Sequence, residues 1–189
     1  MIEIEFKYEL TEKQYQSITD KFVWNEEVII NNYYYDNPEY ILFENDITLR
    51  ARQIDNIILL ESKVKAENLG TDPRRRVSKE DSERLDIIPQ QLDQDTVYRM
   101  TGIMAKNVIC LGELITIRKI KRMHKIVLSL DKCTYFGKTD YELEIEVEDE
   151  KELPDIYTLF GFSGLKESDG KRARFIKERR KWVDDVLIR

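Results

Sequence analysis

The sequence predicts an α+β fold: eight antiparallel β-strands closing into a barrel with a charged interior and helices packed on its outside. Three observations carry this. Residues 2–8, Ile-Glu-Ile-Glu-Phe-Lys-Tyr, alternate strictly between ionised and apolar side chains, which is the period of a β-strand. Seven later segments combine alternation with β-branched and aromatic residues. Four stretches with helical spacing lie between and after them, enough to cover an apolar sheet face.

In the first strand Glu3, Glu5 and Lys7 share one face, while Ile2, Ile4, Phe6 and Tyr8 share the other. Residues 11–24 carry Tyr15, Ile18, Phe22 and Val23 near helical spacing, and Thr11 with Gln14 forms a capping-box pattern. Residues 28–35 are the second strand, ended by the turn chemistry of Asp36-Asn37-Pro38. Residues 47–54 and 57–65 form a hairpin through Asp55-Asn56, whose side chains tolerate positive φ. Residues 74–85 make a fifth, irregular strand between Pro73 and Pro89, and 89–104 read as a helix with proline in its first turn. Strands at 108–121, 125–135 and 139–148 follow, the last two turning at Gly137-Lys138. Helices at 150–160 and 169–186 close the chain.

Length and composition fit one domain spanning residues 1–189. With 41% hydrophobic and 36% charged residues the chain is globular and unusually charged. A net charge of −6 argues against a nucleic-acid partner. Cys110 and Cys133 are too few for a disulfide framework or a cysteine zinc site, and both suit the core of a protein kept in a reducing cytoplasm. No signal peptide or membrane-length apolar run is present, so no membrane partner is expected. His124 lies in a basic turn and reads as a surface residue.

The charged faces of the strands raise the functional question. Arg50 and Arg52 share a face, as do Glu61, Lys63 and Lys65, and as do Glu142, Glu144 and Glu146; Arg118 stands on the sixth strand. Facing outward, they would leave the apolar faces to fill an ordinary barrel. Facing inward, they would leave the apolar faces outside, needing cover that the helices can supply. The helices favour the second arrangement. An interior lined by Lys, Arg and Glu is expensive to desolvate unless it receives a charged ligand.

Glu3-Ile4-Glu5-Phe6-Lys7 resembles the ExExK signature of the CYTH superfamily, the triphosphate tunnel metalloenzymes. The likeness runs along the chain: Tyr34-Tyr35-Asp36, Leu49-Arg50-Ala51-Arg52, Leu60-Glu61-Ser62-Lys63-Val64-Lys65, Arg118, Leu130-Asp131, Glu142-Leu143-Glu144-Ile145-Glu146 and Gly170-Lys171-Arg172-Ala173-Arg174-Phe175 each stand where that family carries a motif. In the fifth strand Arg76 and Glu80 are the matches, and Thr116 replaces the usual lysine two residues before Arg118.

The resemblance implies an eight-stranded antiparallel tunnel that binds a triphosphate such as tripolyphosphate, ATP or thiamine triphosphate, with the protein a monomer or homodimer. It assigns Lys7, Arg50, Arg52, Lys63, Lys65, Arg76, Arg118 and Lys171 to the phosphates, whose oxygens suit guanidinium forks and ammonium point charges. It assigns Glu3, Glu5, Asp131, Glu142 and Glu144 to Mg²⁺ or Mn²⁺, hard ions that take oxygen ligands. Hydrolysis would be in-line attack of water on the terminal phosphorus, with Glu5, Glu144 or Glu146 as the catalytic carboxylate and Glu142 a further candidate. The first expectation is therefore a metal-dependent triphosphatase. A class IV-like adenylate cyclase, converting ATP to cyclic AMP, would use the same motifs. A non-enzymatic polyphosphate-binding module would need no competent metal carboxylates.

Overall fold

The computed structural model describes residues 2–65, 75–147, 161 and 164–187. In chain order the elements are β1 (Ile2–Leu10), α1 (Glu12–Lys21), β2 (Glu26–Asp36), α2 (Ile41–Glu44), β3 (Ile47–Ile54), β4 (Ile57–Lys65), β5 (Arg75–Leu85), α3 (Gln94–Thr101), β6 (Ile109–Met123), β7 (Ile126–Tyr135), β8 (Lys138–Val147), β9 (Lys166–Glu167) and α4 (Lys171–Leu187). The helix expected at 150–160 lies outside the described residues.

The strands form one antiparallel sheet in the order β5-β4-β3-β2-β6-β7-β8-β1-β9, and β1 also pairs with β5. That seam is three residue pairs long, Ile2↔Val77, Glu3↔Arg76 and Ile4↔Arg75, and it brings the two ends of the eight-strand series together. The sheet is thus curled on itself. The ninth strand, β9, is a two-residue addition to the expected eight: it pairs Tyr8↔Glu167 and Glu9↔Lys166 along the free side of β1, too short to leave a periodic signal in sequence.

The apolar faces point outward, and much of their area is covered. Phe6, Tyr8 and Leu10 of β1 join Leu128, Leu130, Leu143 and Ile145 beneath Tyr15 and Ile18 of α1. α1 begins as expected: Thr11 Oγ1 accepts from the Gln14 amide at 3.2 Å, and Gln14 accepts from the Thr11 amide at 2.8 Å. It stops at Lys21, three residues early, because Phe22 is already extended. On another side of the curl Leu49, Ala51 and Leu60 of β3 and β4 pack against Val97 and Met100 of α3.

α3 is shorter than the helix expected at 89–104. Residues 90–92 instead pair with the start of β6, through Leu92 N–H to Val108 O at 3.0 Å and Cys110 N–H to Gln90 O at 2.8 Å. Pro89 O accepts from the Tyr35 hydroxyl at 2.7 Å, and Asp93 caps the helix by accepting from the Thr96 amide at 2.8 Å. Backbone groups spent on sheet pairing cannot start a helical turn.

A third apolar cluster lies where α4 meets β2, β6 and β7. Phe175 and Ile176 of α4 lie against Tyr34, Leu114, Cys133 and Tyr135, with Phe175 fully buried and its ring centroid 4.8 Å from that of Tyr34. Gly112 makes room here: its φ of +138° sits beside the register shift between β2 and β6, and a Cβ there would lie 3.1 Å from Phe136. The interior is left mainly to polar and charged groups.

Candidate active site

The inward side chains line a cavity of about 710 Å³. Its basic wall comes from β3 and β4. Arg50 stands opposite Glu61 in the register, and its Nε and Nη2 each lie 2.9 Å from Glu61 Oε2. Arg52 Nε lies 3.5 Å from the same oxygen and 3.3 Å from Asn32 Oδ1. Two guanidiniums therefore share one carboxylate. Burial, and then Arg50 beside it, bring the Arg52 pKa down to about 10. Arg52 stays cationic at neutral pH in surroundings that favour an added anion. Lys63 Nζ faces the same cavity, 2.8 Å from Glu80 at its rim.

The acidic wall lies across the interior on β7 and β8, since β3 and β8 occupy opposite positions in the eight-strand series. Asp131 and Glu142 are fully buried and Glu144 is 5% exposed. One carboxylate oxygen from each lies within 4.8 Å of the others. Such crowding is tolerable only with cations close by. Lys171 Nζ supplies one, 2.7 Å from Asp131 Oδ2, 2.7 Å from Glu144 Oε1 and bonded to Glu142 Oε1. Arg118 supplies a second, donating to both Asp131 oxygens and to Glu144. Lys7 supplies a third, 2.9 Å from Glu5 and 3.4 Å from Glu144.

These pairs hold the charges on. Burial works against ionisation of Glu144, yet Lys171, Lys7 and Arg118 hold it well below the usual carboxylate range. Glu142 is likewise lowered: burial and Glu144 oppose, and Lys171 and Arg174 prevail. Burial also opposes the Lys171 ammonium, but Asp131, Glu142 and Glu144 raise its pKa well above that of an ordinary lysine. Lys7 is raised in the same way by Glu144 and Glu5.

Of the residues expected from sequence, Glu5, Lys7, Arg50, Arg52, Lys63, Arg118, Glu144, Glu146 and Lys171 all line the one cavity. Asp131 and Glu142 are reached from it through Lys171. Glu5 and Glu146 stand directly opposite each other in the β1–β8 register. The side chains of Glu3, Lys65 and Arg76 lie outside the described residues, although Glu3 and Arg76 are register partners across the seam. Thr116 also lines the cavity, with its hydroxyl 3.7 Å from Cys133 Sγ. His124 is exposed in the β6–β7 turn.

Two residues of this region were not anticipated in a site role. Glu142 Oε2 accepts from Ser168 Oγ and from Arg174, and Arg174 Nε also donates to Asp140 at 3.0 Å. The signal for Arg174 was available, because it follows Lys171 by three residues and so shares its helix face. Ser168 had no such signal; it is placed by β9, where its amide donates to Lys7 O at 2.9 Å.

The donor set suits a hard divalent cation, being carboxylate oxygens from three neighbouring positions. No helix among the described residues is long and apolar enough to cross a membrane.

Comparison with known proteins agrees with the fold. The Bacillus subtilis (strain 168) protein YjbK, proposed to be a triphosphatase, is 28% identical over 187 residues, covering 96% of this chain and 98% of that protein. Among solved structures, a Bacillus halodurans protein proposed to be an adenylate cyclase superposes with a TM-score of 0.71 at 20% identity, over 92% of this chain and 97% of its own. The Hippeastrum protein HpAC1, described as having a dominant triphosphatase activity, superposes with a TM-score of 0.70 at 19% identity, over 93% and 95%. The profile of the CYTH domain matches residues 1–175, and the chain belongs to the CYTH family.

Proposed function

We propose that the protein is a divalent-metal-dependent phosphohydrolase acting on inorganic triphosphate or a related triphosphate compound. The observation that carries this is one cavity in which Arg50 and Arg52, sharing Glu61, and Lys63 face Glu144, with Asp131 and Glu142 buried behind it around Lys171. Arg50, Arg52 and Lys63 would take phosphate oxygens from one side, and Lys7, Arg118 and Lys171 from the other.

Asp131, Glu142 and Glu144 would hold Mg²⁺ or Mn²⁺, with Glu3 and Glu5 of β1 as further ligands; the ion supplies charge neutralisation at the phosphoryl group. Glu144, held ionised by three cations, is a poor proton acceptor. The role of orienting the attacking water therefore falls to Glu5 or Glu146, which face each other across the β1–β8 register. The two free cysteines suit a cytoplasmic setting. The activity reported for HpAC1 and proposed for YjbK supports the same reading.

The test is a parallel incubation of the protein and Mg²⁺ or Mn²⁺ with tripolyphosphate, ATP and thiamine triphosphate. Release of phosphate from a triphosphate, abolished by chelator, is the expected result. Cyclic AMP from ATP would move the assignment to a cyclase. Tripolyphosphate binding with no product in any arm would leave a binding module.

A further inference from the structure

We propose that, when no divalent cation is bound, the Lys171 ammonium holds the cation's position among Asp131, Glu142 and Glu144, and that cation binding evicts it toward the substrate's phosphates. The proposal rests on the metal-site reading above. Among the described residues Lys171 is the one cation in contact with all three carboxylates. Arg118 reaches Asp131 and Glu144, Lys7 reaches Glu144 and Glu5, and Arg174 reaches Glu142 and Asp140.

One oxygen from each of the three carboxylates lies within 4.8 Å of the others. An octahedral ion with ligands at about 2.1 Å places its oxygens about 3–4 Å apart, so only a slight contraction is needed around the point that Nζ occupies. An ammonium and a metal ion cannot share that point.

The surroundings of Lys171 suit a side chain that leaves while its neighbours stay. Glu142 keeps its other oxygen on Ser168 and Arg174, which fixes the carboxylate independently of Lys171. Arg118 and Lys7 continue to neutralise Glu144. Phe175, fully buried, anchors the helix one turn further on. Lys171 itself is the first residue of α4, follows Gly170 at φ +87°, and lines the cavity that the phosphates would enter. Eviction is then a swing of a flexible four-carbon stem, with no undocking of the helix. The ammonium released from the carboxylates becomes a phosphate ligand, so cation and triphosphate reinforce each other's binding.

Two measurements test this. First, Mn²⁺ alone is titrated into the wild-type protein and into Lys171→Met, and free Mn²⁺ is read by electron paramagnetic resonance. A competing tenant reduces apparent affinity by the fraction of sites left free, so the variant is expected to bind at least about tenfold more tightly. Equal or weaker binding by the variant overturns the role of Lys171 while leaving the metal site standing. Binding to neither protein overturns the metal-site reading and this proposal together. Second, wild-type lysines are acetylated with and without saturating Mg²⁺, and the sites are read by peptide mass spectrometry, which does not depend on the variant folding. Lys171 is expected to label several-fold faster with Mg²⁺, against unchanged labelling of exposed Lys138. A Lys171 rate that Mg²⁺ does not change overturns the proposal.

Discussion

Arg118 and Asp131 face each other across the β6–β7 register and close a two-pronged ion pair, Nε to Oδ1 at 2.8 Å and Nη2 to Oδ2 at 2.7 Å, with Asp131 fully buried. Asp131→Asn keeps the shape and removes the charge, leaving Arg118 and Lys171 each one carboxylate short. Loss of one partner from a buried pair costs about 3–5 kcal/mol. Urea denaturation should show that loss at neutral pH; a loss below about 1 kcal/mol would mean that these ion pairs contribute little to the fold.

Arg52→Ala has the opposite sign for stability. Its guanidinium is half-buried beside Arg50 with a shared carboxylate, so its removal relieves repulsion, and the melting temperature should stay equal or rise. Its removal should also raise KM for tripolyphosphate and lower kcat/KM by about ten- to a hundredfold, the range of a charge-assisted contact of about 1.5–3 kcal/mol. Unchanged kinetics would take Arg52 out of the phosphate cradle.

Sequence alone leaves two readings of Glu5 and Glu144: like charges crowded at a metal site, where Gln would leave the metal-free protein as stable or more so, or partners in structural ion pairs with Lys7 or Lys63, where Gln would cost stability. The contacts of Glu144 with Lys7, Arg118 and Lys171 favour the second sign at that position. Its pKa is lowered on folding, so its stabilisation is present above the ordinary glutamate value of about 4.3 and is lost as pH falls through its lower folded value. The raised values of Lys7 and Lys171 stabilise below about 10.4 and fail only as pH rises through them. Glu144→Gln should therefore cost about 3–5 kcal/mol at pH 7, with the gap to wild type closing below about pH 4.3. A gap that persists undiminished in acid would show that the carboxylate's charge is not what stabilises.

Asp36, of the Tyr34-Tyr35-Asp36 motif, has a structural role. It is 2% exposed, and its carboxylate accepts from the amides of Asn37, Leu42 and Phe43 at 2.9, 3.0 and 2.8 Å, which seats α2 against the sheet. Asp36→Ala strands those donors and should cost about 2–3 kcal/mol. Chemical denaturation should report the loss, while KM of the residual folded fraction stays near wild type.

What sequence could show here followed from the pleat. Arg50 with Arg52, and Glu142 with Glu144, are two residues apart, so a period-two reading places each pair on one face whatever the rest of the fold does. The covering role of α1 was equally visible in Thr11, Gln14, Tyr15 and Ile18. What could not be read were meetings between distant segments. Lys171 reaches Asp131 and Glu142 only because α4 begins where β7 and β8 run together, and the local pattern at 171 contains no trace of that. Pro89 misled for a related reason: its helix-start chemistry is genuine, but pairing of residues 90–92 with β6 took the backbone groups first. Ser168 was invisible because a two-residue strand has no period.

The position of β1 has a consequence for how the chain is made. Its partners are synthesised late: Lys7 pairs with Glu144, and Glu9 with Lys166. At about 5–20 residues per second the ribosome takes several seconds to about half a minute to cover that distance. Until then β1 has a partner only for Ile2–Ile4, in β5, and the rest of it is an open strand with an apolar face, the kind of edge that recruits other chains. Glu5 and Lys7, the charges that later serve the cavity, are also what discourages a nascent β1 from stacking on its neighbours on the polysome. Changing them to apolar residues would thus lower soluble yield during synthesis even where the finished barrel could tolerate the loss.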